Sequence, residues 1–174
     1  MKVIETERLI LRWLGSDDAA FILRLVNEPS WLKYIGDKGI RTLQDAKNYI
    51  RSGPVEMYGR FGFGLYLVEL RESGEPLGIC GLIKRDALEF VDLGFAFLPD
   101  HWRKGYAHEA AAGAMSYARK VLGLGRIVAI VSRDNHPSSR LLEKLGFQFE
   151  RMVALGPDEE ELKLYATAVR SGER

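Results

Sequence analysis

The sequence predicts a mixed α/β (α+β) domain in three layers, a largely antiparallel sheet of about seven strands with helices on both faces. Three observations predict it. Three strand-like runs, 63–71, 76–84 and 89–98, follow one another in mid-chain with turn residues between them. Residues 127–131 are apolar at every position, as in a strand covered on both faces. Helical apolar spacing recurs before, between and after these runs.

Each element has its own local reason. Leu9, Leu11 and Trp13 alternate with Arg8, Ile10 and Arg12, the period of a strand. Ser16, Asp17 and Asp18 offer capping oxygens to a helix whose Phe21, Ile22, Leu25 and Val26 recur at helical spacing. Pro29 is expected to end it, with an irregular or short helical link through Trp31, Tyr34 and Ile35. A second helix is expected from Thr42 to about Arg51, with Asp45 at the capping-box position. Glu72, Ser73, Gly74 and Glu75 read as a hairpin turn, and Pro99 stops the third mid-chain strand. Ala107, Ala110, Ala111, Ala114, Met115, Ala118, Val121 and Leu122 then form one apolar helical stripe that Gly123 ends. A short helix over 137–145 stops at Gly146, and strands at 147–155 and about 160–169 follow. With no repeat, low-complexity tract or linker, residues 1–174 read as a single domain.

Composition narrows the function classes. Lys and Arg number 25 against 24 Asp and Glu, a net charge of +1, so no global basic field exists to hold nucleic acid. One cysteine, Cys80, excludes an intramolecular disulfide and a cysteine-rich metal site. His101, His108 and His136 lack ligand spacing, so no metal is expected. The apolar runs are too short to cross a bilayer, and Glu5 and Glu7 interrupt any signal-peptide core. A cytoplasmic domain that handles a small ligand is the expectation.

The chemistry concentrates where the strand 89–98 passes through a short loop into the alanine-rich helix. The first N–H groups of a helix have no internal partner, and the peptide dipoles leave positive charge there. Gly105 keeps the backbone unobstructed, Ala107 keeps the first turn slim, and Arg103 and Lys104 add charge. That composition suits a phosphate or diphosphate; an ordinary strand-to-helix turn with solvated cations is the bland alternative. The segment has neither the Walker spacing nor the dinucleotide-binding glycine pattern. A second segment, Asp134, Asn135, His136, Pro137, Ser138 and Ser139, follows the buried strand and opens the next helix. Ligands gather at such strand ends, although Asp, Asn and Ser also serve simply as caps.

Taken together, Asp92-Leu93-Gly94-Phe95, the run from Trp102 to Ala110, Asn135-His136-Pro137-Ser138 and Glu143-Lys144-Leu145-Gly146-Phe147 resemble the GNAT superfamily of acetyl-CoA-dependent N-acetyltransferases. Glu5-Thr6-Glu7-Arg8-Leu9-Ile10-Leu11-Arg12 is similar to the opening of its RimJ/RimL branch, which acetylates protein N-termini and some other amines. The resemblance implies a sheet with splayed central strands and a pantetheine arm lying in the gap, paired with Phe95, Ala96, Phe97 and Leu98. It implies a diphosphate on Arg103, Lys104, Gly105, Tyr106, Ala107 and His108, and a pantetheine contact from Asn135. The superfamily usually has Gln or Arg three residues before the glycine; Trp102 stands there, as is common in the branch.

Acetyl transfer needs a neutral amine and a proton for the departing thiolate. An α-amine is roughly a tenth neutral at pH 7, whereas a lysine amine is neutral about once in a few thousand molecules. An α-amine therefore needs only a weak or water-relayed base. Asp92, beside the splayed strand, is the favoured candidate over Glu89, and an exposed strand charge is the alternative for either. The tyrosine acid that many family members carry seven residues after the Asn is Leu142 here. Ser138, three after Asn135, matches the serine of the RimL-like branch and is the candidate acid, besides contacting cofactor. Trp31, Tyr34, Tyr58, Phe61 and Phe63 are candidates for an acceptor pocket or for packing. The expected partners are acetyl-CoA and an amine acceptor, with no nucleic acid or membrane, in a monomer or homodimer. The rival expectation is a non-catalytic acyl-CoA-binding sensor or scaffold.

Overall fold

The computed structural model describes residues 1–168. Eight strands make one sheet in the order β1-β2-β3-β4-β5-β6-β8-β7. They are β1 (Lys2–Glu5), β2 (Leu9–Arg12), β3 (Leu65–Leu70), β4 (Pro76–Ile83), β5 (Asp92–Phe97), β6 (Val128–Val131), β7 (Gln148–Val153) and β8 (Leu162–Ala166). All neighbours run antiparallel except β5 and β6, which are parallel. The helices are α1 (Ala19–Leu25), α2 (Pro29–Tyr34), α3 (Leu43–Ile50), α4 (Glu56–Phe61), α5 (Tyr106–Lys120) and α6 (His136–Lys144). The C-terminal end of the expected last strand, Val169, lies outside the described residues.

The mid-chain strands, the alanine-rich helix and the closing β-α-β-β run stand where the residue pattern puts them. Alternation assigns the faces of the sheet. Leu9, Leu11, Tyr66, Val68, Cys80, Leu82, Leu93 and Phe97 pack with the buried stripe of α5 and with Leu142 of α6. Leu67, Ile79 and Leu98 pack instead with α1, α2 and α3. On that second face a separate apolar cluster, Leu88, Val128, Val153, Leu164 and Ala166, covers the β6-β8-β7 half. No helix among the described residues is long and apolar enough to cross a membrane.

Three elements differ from expectation. An eighth strand, β1, pairs with β2 through a bulge, and only its Ile4 is buried, so four residues carry too little periodicity to announce themselves. Pro29 does not end α1, which stops at Leu25; it is the first residue of α2, where its missing N–H has no intrahelical partner to lose. The helix begun at Thr42 runs past Arg51 through a π-helical segment, Arg51–Val55, into α4. Pro54 sits inside this wider turn, which accommodates a residue that cannot donate to a regular α-helical ladder. At the start of α3 the expected box is present: Asp45 N–H donates to Thr42 Oγ1 at 3.0 Å, and Thr42 N–H to Asp45 Oδ2 at 3.1 Å.

Candidate active site

The two parallel strands touch at one place. Asp92 is in register with Val128, and the Val128 N–H donates to the Val91 carbonyl at 3.0 Å. Past that pair β5 and β6 diverge toward their carboxyl ends and leave a wedge. The Leu98 N–H donates to the Leu77 carbonyl of β4 at 3.0 Å, so even-numbered residues of β5 spend their main-chain groups on β4. Alternation turns the Leu93 carbonyl, both groups of Phe95 and the Phe97 N–H into the wedge, beyond the last pairing with β6. The Phe97 carbonyl is already taken, by the Trp102 indole N–H at 2.9 Å. Of the four residues expected to line the gap, the main chains of Phe95 and Phe97 face it, while those of Ala96 and Leu98 serve β4.

At the open end of the wedge the chain turns sharply. A short 3-10 segment, Pro99–His101, leads to Trp102, and two of the next three residues are left-handed: Arg103 with φ 61° and Gly105 with φ 80°. Gly105 adopts this conformation freely, whereas Arg103 holds it at a cost of about 1–2 kcal/mol. The 15-residue α5 begins immediately after. Arg103, Lys104, Gly105 and His108 are exposed, and Tyr106 and Ala107 half-buried, so the turn presents unpaired N–H groups and two cations to solvent. This fits a diphosphate, because Gly105 puts no side chain of its own over the turn and the nearest group to an added Cβ is the cationic Arg8 Nη2 at 3.2 Å.

After β6, Asn135 caps α6, its Oδ1 accepting the Ser138 N–H at 3.3 Å. Its amide nitrogen makes no hydrogen bond among the described residues, so capping leaves that donor unused. Ser138 is half-buried. Its neighbour Ser139, which the sequence spacing did not single out, is buried, and its hydroxyl has no hydrogen-bond partner among the described residues.

Asp92 lies at the closed end, 1% exposed, on the face that carries α1, α2 and α3. Arg85 donates Nε–H to its Oδ2 at 2.8 Å. Burial pushes the Asp92 carboxyl above the ordinary carboxylate range, and Arg85 pulls it part of the way back. Glu89 is exposed. Other polar groups surround Arg85. The Tyr49 phenol of α3 is raised by burial against a lowering influence of Arg85; the Lys38 amine is lowered by desolvation and then by Arg85, with Glu159 opposing. On this face Asp92 lies along β5 between the two apolar clusters, while the side chains of Ile83 and Leu65 lie over Gly94. No hydrogen bond joins Asp92 to Ser138 among the described residues.

The aromatic candidates divide. Trp31, Tyr58 and Phe63 are core residues, with Tyr58 stacked between Trp13 and Tyr66 and its hydroxyl donating to the Leu65 carbonyl. Phe61 is exposed and stacks on Phe63, and Tyr34 is half-buried. Cys80 is fully buried and its thiol is pushed up by burial, which denies it thiolate character.

Known proteins share this fold. The acetyltransferase (GNAT) domain model matches residues 8–148. An uncharacterized N-acetyltransferase of Bacillus subtilis (strain 168), YoaA, is 32% identical over 152 residues, covering 87% of this chain and 85% of its own. The acetyltransferase from Agrobacterium tumefaciens str. C58 superposes with a TM-score of 0.80 at 26% identity, over 97% of this chain and 95% of that one. RimL, a ribosomal L7/L12 α-N-protein acetyltransferase solved in complex with coenzyme A, shares the fold at a TM-score of 0.80 and 17% identity, over 97% and 98% of the two chains. A sheet opened between two parallel strands, a left-handed turn leading into α5 and a match over residues 8–148 lead to one conclusion: the chain belongs to the GNAT acetyltransferases and is an acetyltransferase enzyme.

Proposed function

We propose that the protein moves the acetyl group of acetyl-CoA onto a primary amine by direct attack on the thioester. The acceptor is a protein N-terminal α-amine, as in the RimJ/RimL branch, or a small-molecule amine. The wedge between β5 and β6 carries this reading: its unpaired main-chain groups suit an extended arm bearing amides, and the cationic turn at its mouth suits a diphosphate. In this reading Phe95 and Phe97 pair with the arm, Asn135 contacts it from α6, and Arg103, Lys104, Gly105, Tyr106, Ala107 and His108 hold the diphosphate. Ala96 and Leu98 line the site through their strand rather than through their own amides.

Acetyl-CoA supplies the acyl thioester. Asp92, with its carboxyl raised by burial, is a stronger base than an exposed carboxylate and accepts the amine's proton through water. Ser138 gives its proton to the departing thiolate and regains one from water. A thiol of pKa about 8.5 asks little of such an acid. The N–C bond forms as the C–S bond breaks, and the proton lost by the amine passes through Asp92 to solvent.

Thiol release from acetyl-CoA, measured with tetrapeptides, lysine-containing peptides and polyamines, tests the assignment. Turnover with at least one primary amine is expected, fastest on an α-amine at pH 7. Binding of CoA without turnover on any acceptor would overturn it in favour of a sensor or scaffold.

A further inference from the structure

Arg8 precedes β2, far in sequence from the cofactor turn, yet it touches that turn three times. Its Nη1 donates to the Lys104 carbonyl at 2.9 Å, its Nε reaches Glu109 Oε2 at 3.3 Å, and its guanidinium lies 4.5 Å over the Tyr106 ring. Its own backbone is fixed, because its carbonyl accepts the Arg71 N–H at 2.8 Å and the adjacent Leu9 is fully buried.

We propose that Arg8 is a positioning residue for the diphosphate-binding turn. In a trans peptide the carbonyl of one residue and the N–H of the next point in opposite directions. By holding the Lys104 carbonyl toward β2, Arg8 turns the Gly105 N–H the other way, out to the mouth of the wedge. The same guanidinium neutralises Glu109, a carboxylate in the first turn of α5 that would repel a diphosphate. Tyr106 stacks beneath and keeps the fork in plane. A lysine at position 8 would keep the charge but has no planar fork to serve the carbonyl and the carboxylate together. The inference rests on the acetyl-CoA reading above.

The test compares acetyl-CoA with S-acetyl-pantetheine, which lacks the diphosphate, as donors to an amine that the wild-type protein acetylates. For Arg8→Ala, kcat/KM with acetyl-CoA is expected to fall about tenfold, chiefly through KM, as for loss of a hydrogen bond to a charged group. With S-acetyl-pantetheine it is expected to stay within about twofold of wild type. Arg8→Lys, which keeps the stem and charge and guards against a folding defect, is expected to show most of the same loss. In R8A/E109Q, which also removes the repelling carboxylate, only part of the loss is expected to be recovered. Equal losses with both donors, wild-type KM for acetyl-CoA in Arg8→Lys, or full recovery in R8A/E109Q each overturn the role assigned to the Lys104 carbonyl. Failure of the wild-type protein itself to bind CoA would sink the acetyl-CoA reading instead.

Discussion

The Arg85 Nε–H meets Asp92 Oδ2 at 2.8 Å, and the Arg85 side chain is 34% exposed against 1% for Asp92. Arg85 stands just past the end of β4, an interior strand, and Asp92 at the single point where β5 and β6 join. Arg85→Ala strands a buried carboxylate and is expected to cost about 3 kcal/mol in denaturant unfolding, the low end for a broken buried pair because Arg85 reaches water. A carboxyl raised in the folded state binds its proton more tightly there than in the unfolded chain. Its stability contribution is therefore full below the ordinary Asp value of about 3.9 and is lost as pH rises through the folded value. The Tm of the wild type relative to Asp92→Asn should consequently decline as pH is raised from about 4; a flat difference would contradict the raised carboxyl.

Gly105 and Arg103 share a backbone conformation but not a tolerance for it. Gly105→Ala adds a Cβ at φ 80°, 3.2 Å from Arg8 Nη2, and is expected to lower folding stability by about 1–2 kcal/mol and CoA affinity by about tenfold or more. Arg103→Gly should go the other way in folding, gaining up to about 1 kcal/mol of relieved strain, while CoA binding weakens through the lost cation. Calorimetric titration with CoA beside thermal unfolding separates the two effects.

The adjacent serines of α6 are expected to part company. Ser138→Ala should lower kcat with little change in Tm, which assigns the hydroxyl to proton transfer. Ser139→Ala removes a buried hydroxyl that has no partner among the described residues and should leave Tm unchanged or raise it by the equivalent of about 1 kcal/mol. A Ser138→Ala variant with undiminished kcat would remove that residue from the chemistry.

Trp102→Phe keeps a ring at an exposed position, 47% accessible, but withdraws the N–H that the Phe97 carbonyl accepts. A loss of about 1 kcal/mol in stability is expected, with CoA affinity reduced several-fold as the strand end loosens. Unaltered affinity would show that the end of β5 is held without the indole.

Local pattern made much of this readable. The stripe of α5, the Thr42–Asp45 box and the apolar β6 each declare themselves within a few residues, and the turn at Gly105 is visible as a composition. What stayed hidden depends on distance along the chain or on small signals. Nothing around Arg8 says that it reaches Lys104 and Glu109, and nothing in the pattern of β5 says which of its amides β4 consumes. That parity appears only with the register of β4 against β5. The helix expected to end at about Arg51 instead widens into a π-helical turn over Arg51–Val55 and continues into α4.

The lone pairing of Asp92 with Val128 also leaves the sheet as two plates whose strands barely meet and whose union falls to the core they share beneath α5. Strands β1 to β5 form one plate and β6, β8 and β7 the other, and across that seam the ladder is nearly unlaced. A ligand that hydrogen-bonds along β5 and contacts α6 behaves as the missing strand, so it laces the plates as well as occupying a site. Resistance to heat then rises with ligand concentration, by about 2.7 kcal/mol at a hundred times Kd. The largest slowing of amide exchange should fall at Phe95 and Phe97, on the lip of the seam.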